Sequence, residues 1–154
     1  MQKRERTLRL CASARNNRTM KPEQIVNKMY SNDAFSQWLG IEVLEIKEGY
    51  CKLLMTIKKE MLNGFYIAHG GITYSLADSA LAFASNSRGK QALSIDTSIN
   101  HFEKLVEGDE IIAVATEESV KNKFGFYRVE IRKENLLVAL FKGTVYRTSK
   151  DWEE

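Results

Sequence analysis

Residues 72–86, Ile-Thr-Tyr-Ser-Leu-Ala-Asp-Ser-Ala-Leu-Ala-Phe-Ala-Ser-Asn, read as one long helix with almost no solvated face. Ile72, Leu76, Ala80 and Phe83 recur at helical spacing as an apolar stripe, which Ala77, Leu81 and Ala84 widen. The opposite face carries Ser75, Ser79, Ala82 and Ser85, small enough for another element to approach closely. Such a helix belongs at the centre of a fold.

Downstream of Arg88-Gly89-Lys90 the apolar period changes from helical to two. Leu93 to Phe102 reads as a strand, and Gly108-Asp109 turns into a second from Glu110 to Val120. Phe124 to Arg132 is a third, with Tyr127, Val129 and Ile131 inward, and Glu134-Asn135 turns into a fourth from Leu136 to Arg147. Upstream, Ile41–Lys47 and Tyr50–Lys58 form a hairpin about Glu48-Gly49, with Cys51, Leu53, Met55 and Ile57 alternating inward. At the front, Pro22 opens a helix presenting Ile25, Val26, Met29 and Tyr30. Ser31-Asn32-Asp33 ends it, and Phe35, Trp38 and Leu39 follow as a short apolar plug before Gly40. Short turns make the sheet antiparallel. An antiparallel sheet wrapped around one central helix satisfies this order, an α+β fold.

The chain of 154 residues forms one domain, expected over 20–149 with a C-terminal tail at 150–154. Its net charge of +3 is unevenly placed: residues 1–19 hold six basic side chains against Glu5 alone, leaving about −2 for the rest. The folded part is therefore not a nucleic-acid binder by charge, and residues 1–19 read as a disordered basic leader. No apolar run reaches the length of a membrane span. Cys11 and Cys51 make no disulfide framework, so two reduced thiols in a cytoplasmic protein are expected. With only His69 and His101 and no paired Cys or acidic cluster, no metal site is expected.

One residue conflicts with its surroundings. Asp78 is the only formally charged side chain between Glu60 and Arg88, and it lies in the middle of the buried helix on the small-residue face. Aspartate is a poor residue there, and a buried carboxylate costs free energy unless paired. A lone helical acid ordinarily faces water; the absence of any other charge on that face makes a functional role a comparable reading. Just upstream, Asn63-Gly64-Phe65-Tyr66-Ile67-Ala68-His69-Gly70-Gly71 brings two glycines to the helix start, where uncovered N–H groups and the helix dipole favour anions and developing oxyanions. Gly71 and Asp78 are separated by about 10 Å along the axis at 1.5 Å per residue. For both to reach one carbonyl, two such helices must pack antiparallel on their small faces, giving a dimer with a shared site.

The segment from Asn63 to Asp78, N-G-F-Y-I-A-H-G-G-I-T-Y-S-L-A-D, resembles the active-site segment of hotdog-fold thioesterases of the phenylacetic-acid-degradation (PaaI) type. The similarity continues through Ala82–Ser87, the Gly-Asp turn within Phe102–Ala115, the closing strand Val138–Arg147 and the front Trp38–Val43, covering Met20 to Ser149. It implies an acyl-CoA thioesterase in which Asp78 attacks the thioester or activates water to do so. Gly71 N–H would help form the oxyanion hole, His69 hold that loop and Asn63 position carbonyl or water. Gly70, Ser75 and the turn Lys121-Asn122-Lys123 are the candidate substrate-binding residues. Relatives often carry Gly-Arg in that turn, and His101 stands where an aromatic residue is common. The resemblance further implies a homodimer assembling to a homotetramer, with coenzyme A as part of the substrate and no separate cofactor. Phe65, Tyr66, Tyr74 and Phe83 either line an aryl-acyl pocket or are core, and aryl, short-chain and medium-chain acyl groups all fit. The alternative is a non-catalytic acyl-CoA-binding or scaffold protein of the same fold. A serine hydrolase is disfavoured because no G-x-S-x-G occurs.

Overall fold

The computed structural model describes residues 20–153; the basic leader at 1–19 lies outside the described residues. Two helices, α1 (Pro22–Ser31) and α2 (Ala34–Leu39), lead into β1 (Glu42–Lys47) and β2 (Tyr50–Thr56). A single 3-10 turn at Lys59–Met61 precedes α3 (Gly70–Asn86), followed by β3 (Lys90–His101), β4 (Glu110–Lys121), β5 (Phe124–Lys133) and β6 (Leu136–Asp151). The six strands form one antiparallel sheet in the order β1-β2-β4-β5-β6-β3. After α3 the chain thus crosses to the far edge of the sheet, and among the described residues β3 pairs only with β6.

The inner face of α3 packs into the sheet as expected from its stripe. Leu76, Ala77, Ala80, Leu81, Phe83 and Ala84 are buried in one cluster with Leu53, Met55, Ile111, Val129, Ile131 and Phe141. A closest approach is marked by Gly143 on β6: a Cβ there would collide with the Leu81 side chain and press on Phe141. Only glycine lets helix and strand meet at that point.

Four expectations change. The closing strand runs to Asp151 rather than ending near Arg147, so Lys150 and Asp151, expected in the tail at 150–154, belong to the sheet. Lys90 pairs with Asp151 in the ladder and through a 2.6 Å ion pair, and Trp152 N–H donates to Gly89 O at 2.9 Å. Hydrophobic alternation stops before the hydrogen-bonded ladder does. Second, the plug at 35–39 is a helix in which only Leu39 is buried among the three apolar residues. The core lies on the side of Ser36 and Leu39, leaving Phe35 and Trp38 stacked on each other about half exposed. Ser36 is anchored by Asp33, whose carboxylate accepts from its N–H (3.0 Å) and hydroxyl (2.5 Å).

Third, the small face of α3 is not wholly open. Ser79 meets Ser36 of α2 hydroxyl to hydroxyl at 2.9 Å, and Ser85 is buried. What remains outward is narrower: Gly71, Ser75, Asp78 and Ala82, spaced i, i+4, i+7, i+11 along one line. Fourth, β3 does not alternate cleanly. Register shifts between Lys90/Ala92 and Ser94/Asp96 leave residues 93–96 all exposed, Leu93 and Ile95 among them. Among the described residues no strand pairs with this outer edge of β3, which runs beside the outward line of α3.

Candidate active site

The site is built at the start of α3. The segment before the helix is closed by a bridge between Leu62 and Ala68, inside which Asn63 organises the turn. Its N–H donates to Ile67 O (2.8 Å), its carbonyl accepts from Tyr66 N–H (3.0 Å) and its Oδ1 accepts from Phe65 N–H (2.8 Å). The amide nitrogen of Asn63 takes no part in those bonds. Tyr66 sits at φ 60°, a strained position for a bulky residue, and the tip projects Phe65 and Tyr66 into solvent at 83% and 81% exposure.

His69 is the N-cap of α3, fixed by its own N–H donating to Met61 O at 2.9 Å. Its ring Nδ1 accepts the Gly71 N–H at 3.1 Å. The donor singled out from the sequence as part of an oxyanion hole is therefore engaged by the neighbouring imidazole, which must carry any proton on Nε2 in this arrangement. The other end of the same peptide is held too. Gly70 O accepts from Thr73 Oγ1 at 3.0 Å, and Thr73 Oγ1 lies 2.6 Å from His101 Nε2. With the hydroxyl proton given to Gly70 O, the remaining Thr73 lone pairs accept from His101, and the Gly70–Gly71 peptide plane is clamped from both sides. Neither Thr73 nor His101 was legible as part of this clamp; His101 stood out only as a polar residue in an aromatic position.

Two turns along, Asp78 is half-buried. Burial pushes its carboxyl above the ordinary carboxylate range, and the neighbouring Ser94 hydroxyl of β3 pulls the other way without cancelling it. Ser94 is a third residue that the sequence leaves unmarked, since nothing in a period-two strand marks which serine faces a helix. Among the described residues no three His, Cys, Asp or Glu side chains gather as metal ligands.

Within one chain the structure brings His69, Gly70, Gly71 and Asn63 together at the helix start, with Ser75 and Asp78 further along the outward line. Ser75 Oγ donates to Gly71 O at 2.7 Å, which turns its hydroxyl back onto the helix.

A model of the Thioesterase superfamily matches residues 65–139, the span holding this helix start and Asp78. The chain is 43% identical over 143 residues to a protein of Archaeoglobus fulgidus, covering 92% of each. To the acyl-coenzyme A thioesterase PaaI of Escherichia coli K12 it is 37% identical over 125 residues, 80% of this chain and 89% of that one. The solved structure of the E. coli PaaI protein superposes with a TM-score of 0.83 at 35% identity, covering 86% of this chain and 97% of that one. This chain belongs to the thioesterase superfamily.

It is a hotdog-fold member of the PaaI type, and its six-stranded sheet around α3 is that fold. Membership makes it a thioester hydrolase. In this thioesterase the turn Lys121-Asn122-Lys123 is the tip of the β4–β5 hairpin, with Asn122 in the left-handed region at φ 55°. Its contacts run to β6: Lys123 O accepts from Arg147 N–H at 2.7 Å and Lys123 Nζ lies over the Tyr146 ring. The structure does not bring it against α3. Of the four aromatic residues considered for an acyl pocket, Phe83 is core. Tyr74 packs edge-on to Phe141 with its hydroxyl bonded to Thr97, and Phe65 and Tyr66 are on the loop tip. Among the described residues no helix is long and apolar enough to cross a membrane.

Proposed function

We propose that this thioesterase hydrolyses acyl-CoA esters to the free acid and coenzyme A, with Asp78 as the carboxylate that does the chemistry. The observation that carries this reading is Asp78 itself: a half-buried acid, with its proton held more tightly than usual, in an outward line of uncharged small residues that begins with the Gly71 N–H. A carboxylate of raised pKa is a stronger base at neutral pH. It either takes a proton from the attacking water and passes it to the departing sulfur, or attacks the thioester carbon itself. The second route expels the thiolate and forms a mixed anhydride, which water then hydrolyses to the free acid, supplying the proton for the thiol. Coenzyme A leaves as the thiol.

The tetrahedral oxyanion needs a preorganised donor. Gly71 N–H supplies it once the substrate oxygen replaces His69 Nδ1 as its acceptor, so the imidazole acts as a placeholder that keeps the donor aimed. Asn63 positions carbonyl or water with its amide group, and the Thr73–His101 clamp keeps the peptide plane from rotating. Gly70 and Ser75 border the reacting groups, and the Lys121-Asn122-Lys123 turn meets the coenzyme A moiety at the surface. Because Gly71 and Asp78 are about 10 Å apart along the axis, each site combines Gly71 of one subunit with Asp78 of another. The outer edge of β3, with Leu93 and Ile95 exposed beside the outward line, is the surface that supports this dimer. Two dimers then form a tetramer. The E. coli PaaI protein comes from the phenylacetic acid degradation operon; breakdown of aryl- or short- to medium-chain acyl-CoA in the cytoplasm is the corresponding role here.

Thiol release measured over a panel of acetyl-, medium-chain and phenylacetyl-CoA tests the reading. Turnover on at least one ester is expected; binding of CoA esters with no turnover on any would make the protein an acyl-CoA binder instead.

A further inference from the structure

Tyr74, Asp78, Ala82 and Asn86 follow one another at four-residue steps and so lie on one ridge of α3. Two of them are tied to β3. The Tyr74 hydroxyl is hydrogen-bonded to Thr97 Oγ1, with the Tyr74 ring edge-on to Phe141. Further along, Asn86 grips the backbone of Ala92: its Oδ1 accepts the Ala92 N–H (3.0 Å) and its Nδ2 donates to Ala92 O (2.9 Å). The same amide donates to Ala82 O at 2.9 Å and accepts from Trp152 Nε1 at 2.8 Å. Asn86 is 2% exposed, and a buried amide with its partners in place holds them in one geometry.

The two spans agree. From Tyr74 to Asn86 the ridge covers about 18 Å at 1.5 Å per residue. From Thr97 to Ala92 the strand covers about 16 Å at 3.3 Å per residue. β3 therefore runs antiparallel along the ridge and is fastened near both ends, with Asp78 between the fastenings. Facing that interval is the stretch 93–96 of β3, all exposed, which includes the Ser94 hydroxyl that acts on Asp78. It is the least constrained part of the sheet. Among the described residues β3 has one partner strand, and of the five ladders only this one carries two register shifts, at Lys90/Ala92 and Ser94/Asp96. Ala92 closes the first shift and Thr97 stands just past the second, so each irregularity is followed by a tie to the helix. Bulges bend a strand and recur beside active sites; here the ties limit how far the bend can carry β3 from α3.

We infer that the Tyr74–Thr97 and Asn86–Ala92 ties are positioning contacts for the hydrolysis: they hold the bulged part of β3 against α3 and keep water from surrounding the Asp78 carboxyl. The inference rests on the reading of Asp78 as the working carboxylate. Burial and the Ser94 hydroxyl are what act on that group; no charged side chain of α1, α2 or β3 does. Asp96, the one charged residue in the facing stretch, lines a trough on the outer face of the sheet with Arg128 and Lys142. How far Asp78 is dehydrated therefore depends on how closely β3 approaches, and its strength as a base follows from that. Trp152 acts at one remove, by holding the Asn86 amide.

The test compares Tyr74→Phe, Thr97→Val, their double variant and Trp152→Phe with the parent. Two quantities are read: the pH dependence of kcat on an acyl-CoA ester, and the titration of the Asp78 carboxyl in substrate-free protein by carbon-13 NMR. Tyr74→Phe and Thr97→Val should each lower kcat by up to about ten-fold, the worth of one hydrogen bond, with KM little changed. In both, the Asp78 midpoint and the acid limb of the kcat profile should move together to lower pH. The double variant should lose no more than either single one, because one bond is involved. Trp152→Phe keeps a ring and removes the donor, and should give a smaller change in the same direction. Glu117→Gln, which loses stability elsewhere in the fold, should leave the Asp78 midpoint in place. An unchanged midpoint and kcat in folded Tyr74→Phe and Thr97→Val proteins would overturn the inference and leave the ties as packing. A loss in Tyr74→Phe alone would overturn it as well, making that hydroxyl a direct participant. If the midpoint moves as expected while no ester is cleaved even by the parent, the ties do hold the carboxyl and it is the hydrolytic reading that falls.

Discussion

Asp78 and Glu117 are both partly buried acids, and the fold treats them in opposite ways. Glu117, on β4 with its side chain 15% exposed, receives Arg88 through Nε at 2.5 Å and Nη2 at 2.8 Å, and the Tyr127 hydroxyl at 2.8 Å. Burial alone would raise its pKa, but the hydrogen bonds from Arg88 and Tyr127 more than offset it and hold the carboxyl below the ordinary range. Asp78 has only the neighbouring Ser94 hydroxyl to lower its pKa, and burial wins. The same chain that can surround one carboxylate with three donated hydrogen bonds leaves the other nearly bare. An unmet cost of this kind, in a line of small residues, is what a working acid or base requires and what a structural one avoids.

The largest effect concerns how the Asp78 site is completed. Gly71→Pro removes the N–H while keeping a residue tolerated in the first helical turn, and Asp78→Asn removes the carboxylate. Each alone should be inactive. Co-expressed, they should recover about a quarter of parental activity, because half of randomly assembled dimers carry one intact site of two. No recovery in a mixed dimer isolated by two tags would place both groups within one subunit.

A smaller loss is expected at the clamp. Thr73→Val frees Gly70 O and leaves His101 without its partner; kcat should fall by up to about ten-fold, the worth of one hydrogen bond, with KM little changed. Thr73→Ser should restore it. Equal losses in Val and Ser variants would assign Thr73 to packing alone.

The contrast between the two acids predicts opposite stability profiles. Glu117 has a folded pKa below its unfolded value, so its stabilisation is present above the unfolded pKa and drains as pH falls through the folded one. Asp78 has a folded pKa above its unfolded value; the folded state holds that proton more tightly, and the associated stability is lost as pH rises through the folded pKa. Urea unfolding at neutral pH should therefore show Glu117→Gln destabilised by about 1–2 kcal/mol with kcat retained. Asp78→Asn should be slightly more stable than the parent, an advantage that disappears in acid. A destabilised Asp78→Asn protein would mean that the carboxylate is structurally paired.

Much of this contrast was legible before any coordinates. The isolated charge at Asp78, the helix around it and the six strands all follow from spacing, because burial on one face imposes a period that the residues must keep. The paired glycines marked the helix start for the same reason. The remainder depends on partners distant in sequence. Ser94 and Asp78 meet through the crossover that carries β3 to the far edge, and Thr73 meets His101 across 28 positions. Trp152 reaches Asn86 across 66. Strand pairing beyond Arg147 leaves no hydrophobic trace, since that stretch of β6 is polar and held by its ladder.

The most direct measurement is coenzyme A thiol release at saturating substrate by the parent and by Asp78→Asn, on samples whose melting temperatures are recorded together. A loss of at least about 100-fold in a protein that melts no lower than the parent is the predicted result. Undiminished turnover in the folded variant would remove Asp78 from the chemistry and contradict the central claim.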